Sequence, residues 1–264
     1  MFGSVTGATA SSQTDWGEQL INQAATQSIR SLFTSSESVE VAVRCYPSSK
    51  LLQGSIDSFK MSGKRLLIRR RFLVETMSFE TDAVAIDFRS ILGGQVRLKQ
   101  PTQAIAQVVL SEEGINKAFE ADLVKKRLVN LENPSLTELS GGAPVSFTDV
   151  QVELLPENTL RLRAQADLGD RGEVPVQMLT KLSIERRRRV CFQDTQFEAA
   201  EIPQQHQETS QRLTHVLADI LNNMVDLDRF DLDGVVMRLN RLETSGKELI
   251  FSGYAQIHHF PRHS

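Results

Sequence analysis

The chain has 264 residues, 40% hydrophobic and 24% charged, which is the composition of an ordinary soluble protein and long enough to bury a sizeable core in one large or two small domains. A net charge of -3 excludes a global pull onto nucleic acid or an anionic membrane, so only local patches remain. Two cysteines, Cys45 and Cys191, exclude a disulfide framework, and no apolar run approaches the roughly 20 residues of a membrane-spanning helix. The opening Met1–Ala10 lacks the basic and apolar blocks of a secretory signal, and glycine falls at position 3, which fails the myristoylation pattern. A cytoplasmic chain is the expectation.

Residues 1–13 are too poor in bulky apolar groups to repay ordering, and read as a flexible lead-in. Asp15 is placed to cap a helix with Trp16, Leu20, Ala24, Ile29, Leu32 and Phe33 on one stripe. At Ser38 the period changes to two: Val39, Val41, Val43 and Cys45 share a face, Pro47–Lys50 turns, and Leu52, Gly54, Ile56 and Ser58 read as the return strand. After Gly63, a strand through Leu66, Ile68, Arg70 and Phe72 and another ending Val84–Phe88 continue the meander. Gly93 and Gly94 break the chain, and after Pro101 alternation resumes at Ala104, Ala106, Val108 and Leu110.

Ser111, Glu112 and Glu113 suit the start of a second helix, with Ile115, Phe119, Leu123 and Leu128 apolar and Lys125, Lys126 and Arg127 at its negative end. A loop is expected from Asn133 to Pro144. Strand pairs follow at Val174–Glu185 and Val190–Phe197. Pro203 opens a third helix, on which Leu213, Val216, Leu217, Ile220, Leu221 and Met224 recur at helical spacing.

One pattern occurs twice. Leu160, Leu162, Ala164, Ala166 and Leu168 match Leu249, Phe251, Gly253, Ala255 and Ile257 at a spacing of two, and each set closes a β-hairpin that follows an amphipathic helix. The fold class is therefore α+β: long antiparallel strands built from helix-plus-hairpin units, with helices against one face. Residues 14–257 form a single domain, and 258–264 a polar tail.

Catalytic signatures are missing: no G-x-S-x-G, H-E-x-x-H, P-loop or G-x-G-x-x-G occurs, so an enzyme is not expected, and no cofactor or metal is implied. The acidic run Asp226–Asp233 fails calcium-loop spacing, because a loop starting at Asp226 puts Phe230 at a ligand position and Asp231 where glycine is required. His215, beside the apolar stripe, reads as a packing or surface histidine. Arg186, Arg187, Arg188 and Arg189 form the strongest charge signal, with Lys64, Arg65 and Arg69–Arg71 weaker companions. The run fits a solvated hairpin tip or edge first, docking to anionic headgroups second and nucleic acid last, because aromatics do not interleave with it. The small residues Ala164, Ala166, Gly253 and Ala255 are either seats for close-packed helices or the floor of an apolar groove suited to acyl chains.

In Ser48–Lys60, Phe147–Val152 and Gly234–Leu239, with the order of elements around them, the chain resembles the LmeA-like phospholipid-binding family and is similar to its branch in photosynthetic bacteria. The resemblance runs from about Trp16 to Ile257. It implies an elongated, rolled antiparallel sheet, similar to tubular lipid-binding proteins, around a cavity for phospholipid acyl chains. Envelope members of that family are exported, whereas no export signal is read here. The expectation is a non-enzymatic lipid-binding protein, cytoplasmic or peripheral on the cytoplasmic face of a membrane, with a phospholipid or other acyl lipid as ligand, an anionic membrane surface as transient partner and no nucleic acid. Val150, Val152, Leu160, Leu162, Ala164, Leu249, Phe251 and Leu217 are the expected lining, and Arg186, Arg187, Arg188 and Arg189 the expected headgroup contacts. The alternative is a structural or interaction protein with a filled core.

Overall fold

Alternation sets the first strand, β1 (Ser38–Arg44), whose Val39, Val41 and Val43 are buried while Glu40 and Arg44 face water. The computed structural model describes residues 22–23, 25–27, 29–47, 49–68, 72–87, 89–90, 97–225, 227 and 234–259. The expected cap Asp15, the stripe residues Trp16, Leu20 and Ala24, Arg69–Arg71, Gly93, Gly94 and most of the Asp226–Asp233 run lie outside them. Within 22–30 the described residues are helical, and Ile29 and Phe33 pack against the cluster that holds β1.

The return strand differs from expectation. Ser49–Leu52 is a helical turn (α1) that leaves Leu52 70% exposed; β2 is only Ser55–Ile56, and the long partner of β1 is β3 (Ser58–Ile68). Gly63 sits inside β3, opposite Val39 and Met77. A β-carbon at Gly63 would stand 2.8 Å from the Leu66 side chain, which explains a glycine in mid-strand. β4 (Phe72–Thr81), the short β5 (Val84–Ala85, paired with β2) and β6 (Thr102–Ser111) follow.

Ser111 caps α2 (Glu112–Phe119), accepting from the Gly114 amide at 3.2 Å. The expected long helix stops there: α3 is one turn, Asp122–Lys125, with Leu123 52% exposed and Leu128 buried beyond it. The expected loop at 133–144 holds α4 (Pro134–Ser140), started by the Asn133 side chain on the Ser135 amide with Pro134 in the first turn, and ended by Gly141 in the left-handed region. Next come β7 (Ser146–Leu155), β8 (Thr159–Asp167), β9 (Glu173–Glu185), β10 (Arg189–Phe197), α5 (Gln207–Met224), β11 (Val235–Ser245) and β12 (Glu248–Ile257).

The strands form two large open antiparallel sheets, ordered β1-β3-β4-β6-β12-β11 and β10-β9-β8-β7. The two matching hairpins separate: β7–β8 belongs to the four-stranded sheet and β11–β12 to the six-stranded one. α5 packs on β9 and β10 through Leu213, Leu217 and Leu221, while α2 spans from β4 to β7 and so ties the sheets together. Bulges bend the strands. Asp149 and Val150 in β7 oppose one residue of β8, which lets Phe147 and Val150, three apart, both turn inward.

Candidate functional site

Six strands carry one apolar face, and its composition changes across the sheet. Three rows read Val41-Met61-Phe79-Ala106-Gly253-Leu239, Val39-Gly63-Met77-Val108-Phe251-Leu242 and Val43-Phe59-Thr81-Ala104-Ala255-Met237. The centre is small: Ala104, Ala106 and Ala255 are buried, with Phe79, Leu98, Val235 and Met237 packed against them only in part. Phe59, Met77, Phe79, Val108, Leu110 and Phe251 also keep part of their surface open on this face.

Gly253 belongs to this centre for a backbone reason and is not a helix seat. A β-carbon there would lie 2.1 Å from the Arg238 carbonyl oxygen, where β11 bulges between Leu239 and Arg241. The seat for a helix is Gly114 of α2, whose missing β-carbon leaves room for the Leu73 carbonyl of β4.

All eight expected lining residues fall in the neighbouring cluster, which is bounded by the four-stranded sheet, α5 and the β11–β12 hairpin. Leu162 and Leu217 are fully buried; Val150, Val152, Leu160, Ala164 and Leu249 are buried, and Phe251 is partly so. Phe251 therefore stands where the cluster meets the small-residue trough. In the wall, the Ser210 hydroxyl donates to the Pro175 carbonyl at 2.7 Å, while the buried Thr214 hydroxyl has no partner. A separate 260 Å³ recess lined by Asp82, Ala83, Ala85 and Gln100–Gln103 is polar and open.

The arginine run forms the β9–β10 tip. Arg186 and Arg187 have positive φ, and the Arg187 carbonyl accepts from Leu239 of β11 at 2.6 Å. Their side chains diverge. Arg186 is 74% exposed; Arg187 donates to Asn240 at 2.5 Å and lies 6.0 Å from the Tyr254 ring centre; Arg189 pairs with Glu185 at 3.3 Å and donates to the Asn222 carbonyl in the last turn of α5. The Arg188 carbonyl accepts from Leu227. Arg186 and Arg187 thus face outward, and Arg189 serves the fold.

Four asparagines escape the sequence reading of this framework. Asn116 of α2 brackets Val152 of β7, accepting from its N–H at 2.7 Å and donating to its C=O at 3.0 Å. Asn222 of α5 treats Phe192 of β10 the same way, at 2.7 and 3.2 Å. Asn158 accepts from Thr244 and donates to Leu242 on β11, and Asn22 accepts from Val43 of β1. These are the four outer strands of the two large sheets, each met by an amide that stands in for a missing strand.

Residues 13–253, nearly the whole chain, match the sequence model described as LmeA-like phospholipid-binding. The chain belongs to the LmeA-like phospholipid-binding family. That family binds lipid and is not a known enzyme family. No curated protein and no solved structure matches the chain. Among the described residues no helix is long and apolar enough to cross a membrane, and no three acidic, histidine or cysteine side chains group as metal ligands.

Proposed function

We propose that the chain binds a phospholipid without chemical change, holds its acyl chains against the apolar inner faces of the two sheets, and carries it at the cytoplasmic surface of a membrane. The observation that carries the reading is the family match over residues 13–253. The inner face supports it: alanines and a glycine at the centre leave width for a chain of methylenes, and partly open Met77, Val108 and Phe251 supply apolar walls. In this reading an acyl chain passes Phe251 into the cluster of Leu249, Leu160, Leu162, Ala164, Val150, Val152 and Leu217. Arg186 and Arg187 then meet the headgroup side, with Arg188 and Arg189 fixing the tip they stand on.

The competing reading, an interaction protein with a filled core, draws on the full burial of Leu162 and Leu217. Native mass spectrometry of the purified chain, followed by solvent extraction, separates the two. A stoichiometric phospholipid supports lipid binding. An apo mass that stays apo after incubation with mixed-lipid vesicles gives the protein to the filled-core reading.

A further inference from the structure

The outward face of the six-stranded sheet is mostly polar; Val109 and Ile250, towards the β6 and β12 ends near α2, are buried or half-buried, and one apolar group is left exposed. Opposite the inner rows run Lys60-Glu80-Ile105-Tyr254-Arg238, then Ser62-Ser78-Gln107-Ser252-Arg241 on one side and Gln103-Gln256-Val236 on the other. Six large apolar side chains are exposed among the described residues, and three of them lie here on adjacent strands: Ile105 at 62%, Tyr254 at 46% and Val236 at 37%. A β-sheet face exposed to water has no use for an isoleucine beside a tyrosine in its central strands, since paired polar side chains serve there equally well.

Three guanidiniums stand around this patch. Arg187 reaches over the β11 edge to the Tyr254 ring, and its other partner, Asn240, is also neutral. Arg238, the register neighbour of Tyr254, donates to the Met237 carbonyl at 2.9 Å, and Arg186, 3.9 Å from Glu185, projects from the Arg187 tip. Two acids of this face are paired with neighbouring cations: Glu80 with Lys60 at 2.6 Å, and Glu243 with Arg241.

We propose that this patch (Ile105, Tyr254 and Val236, with Arg186, Arg187 and Arg238) is the surface by which the protein docks on an anionic lipid bilayer. The proposal rests on the lipid-binding reading, which requires contact with a membrane to collect or deliver the ligand. Its chemistry is that of an interfacial site. Tyr254 presents an apolar ring with a polar tip at headgroup depth, Ile105 and Val236 enter the acyl boundary, and the guanidiniums meet phosphate. The patch adjoins β12, whose other face carries Phe251, Gly253 and Ala255, so docking here brings the bilayer within one strand's thickness of the inner trough.

Vesicle flotation of the full chain tests it, with phosphatidylcholine mixed with phosphatidylglycerol set against phosphatidylcholine alone. The wild-type chain floats with the anionic vesicles and is released by salt. Arg187→Gln and Arg238→Gln each weaken binding about fivefold, and Ile105→Ser with Tyr254→Ser abolishes it, whereas Lys181→Gln on the other sheet leaves it unchanged. Native mass spectrometry runs in parallel on every variant. Lost flotation with lipid occupancy intact supports the docking face. Unaltered flotation in the patch variants, or equal flotation on neutral vesicles, overturns it while lipid binding stands. Loss of a concentration-dependent dimer in those variants, without vesicle binding by the wild type, also overturns it and assigns the patch to a second copy. A wild-type chain that floats but never carries lipid removes the lipid-binding reading instead.

Discussion

Arg161 on β8 sits between two carboxylates, donating to Glu153 at 2.8 Å across the β7–β8 ladder and to Glu198 at 2.8 Å, where the chain leaves β10. Gln177 adds a third hydrogen bond to Glu198 at 3.1 Å. The Arg161 guanidinium holds the Glu198 carboxyl below its ordinary range, against the opposing effect of burial, with Gln177 helping; the same contacts raise the arginine further. A carboxyl whose folded pKa lies below its unfolded one stabilises the fold above the unfolded value of about 4.5, and that contribution fades as pH falls through the folded value. Glu198→Gln is therefore expected to lower the urea midpoint at pH 7, and its difference from the wild type is expected to shrink as pH falls below 4.5 towards pH 3. A midpoint difference that persists unchanged at pH 3 counts against the ion pair as its source. None of this was legible beforehand: Glu153 and Arg161 become neighbours only once the hairpin register is known, and Glu198 lies 37 residues beyond Arg161 in sequence.

At the scale of elements, the edges of the sheets decide what keeps the chain from pairing with copies of itself. An outer strand offers unpaired N–H and C=O groups, and a side-chain amide carries the matching acceptor and donor in one rigid group. Helices α2 and α5 each supply one such amide to the four-stranded sheet, so the helices are fixed in register with the strands as well as packed on them. Asn116→Ala leaves the Val152 N–H and C=O without their partner, at a cost of about 1–3 kcal/mol. The expected outcome is a lower urea midpoint and faster aggregation on heating, with Asn222→Ala behaving likewise at β10. Gly253→Ala makes a harder demand. Its β-carbon meets backbone, not the tip of a flexible side chain, so the β11 bulge must move or the β11–β12 pairing must open. Poor yield of folded protein, or a clear drop in thermal midpoint, is expected; a midpoint matching wild type would mean that the bulge has slack. Period-two alternation revealed β1, β6 to β10 and both matching hairpins, because one face of each is buried. The Asn133, Pro134 and Gly141 signals that enclose α4 were present in the sequence but were read as loop punctuation. The asparagine brackets were invisible, since a polar residue off the apolar stripe carries no sign of the edge it will meet.

For the whole molecule, the repeat predicted the strands correctly and did not predict their destinations. Leu160–Leu168 and Leu249–Ile257 share an alternation, yet alternation fixes only which side chains turn inward; it does not say which sheet a hairpin joins. Three apolar clusters result, and two of them meet on β11 and β12, with Phe251 at the junction. That position makes a lipid-linked test of stability informative. A ligand that binds only the folded chain raises its stability by about 2.7 kcal/mol when its free concentration is a hundred times its dissociation constant. If acyl chains lie along the trough, delipidation lowers the thermal midpoint, and returning phospholipid vesicles restores it. Val108→Trp adds bulk at a partly open position beside Met77 and Phe251, so it is expected to fold while losing the response to lipid. The delipidated wild type and Val108→Trp should then melt close together, and only the wild type should gain on adding lipid. Equal gains by both chains would place the acyl chain elsewhere, and no gain by either would favour a core that is filled by its own side chains.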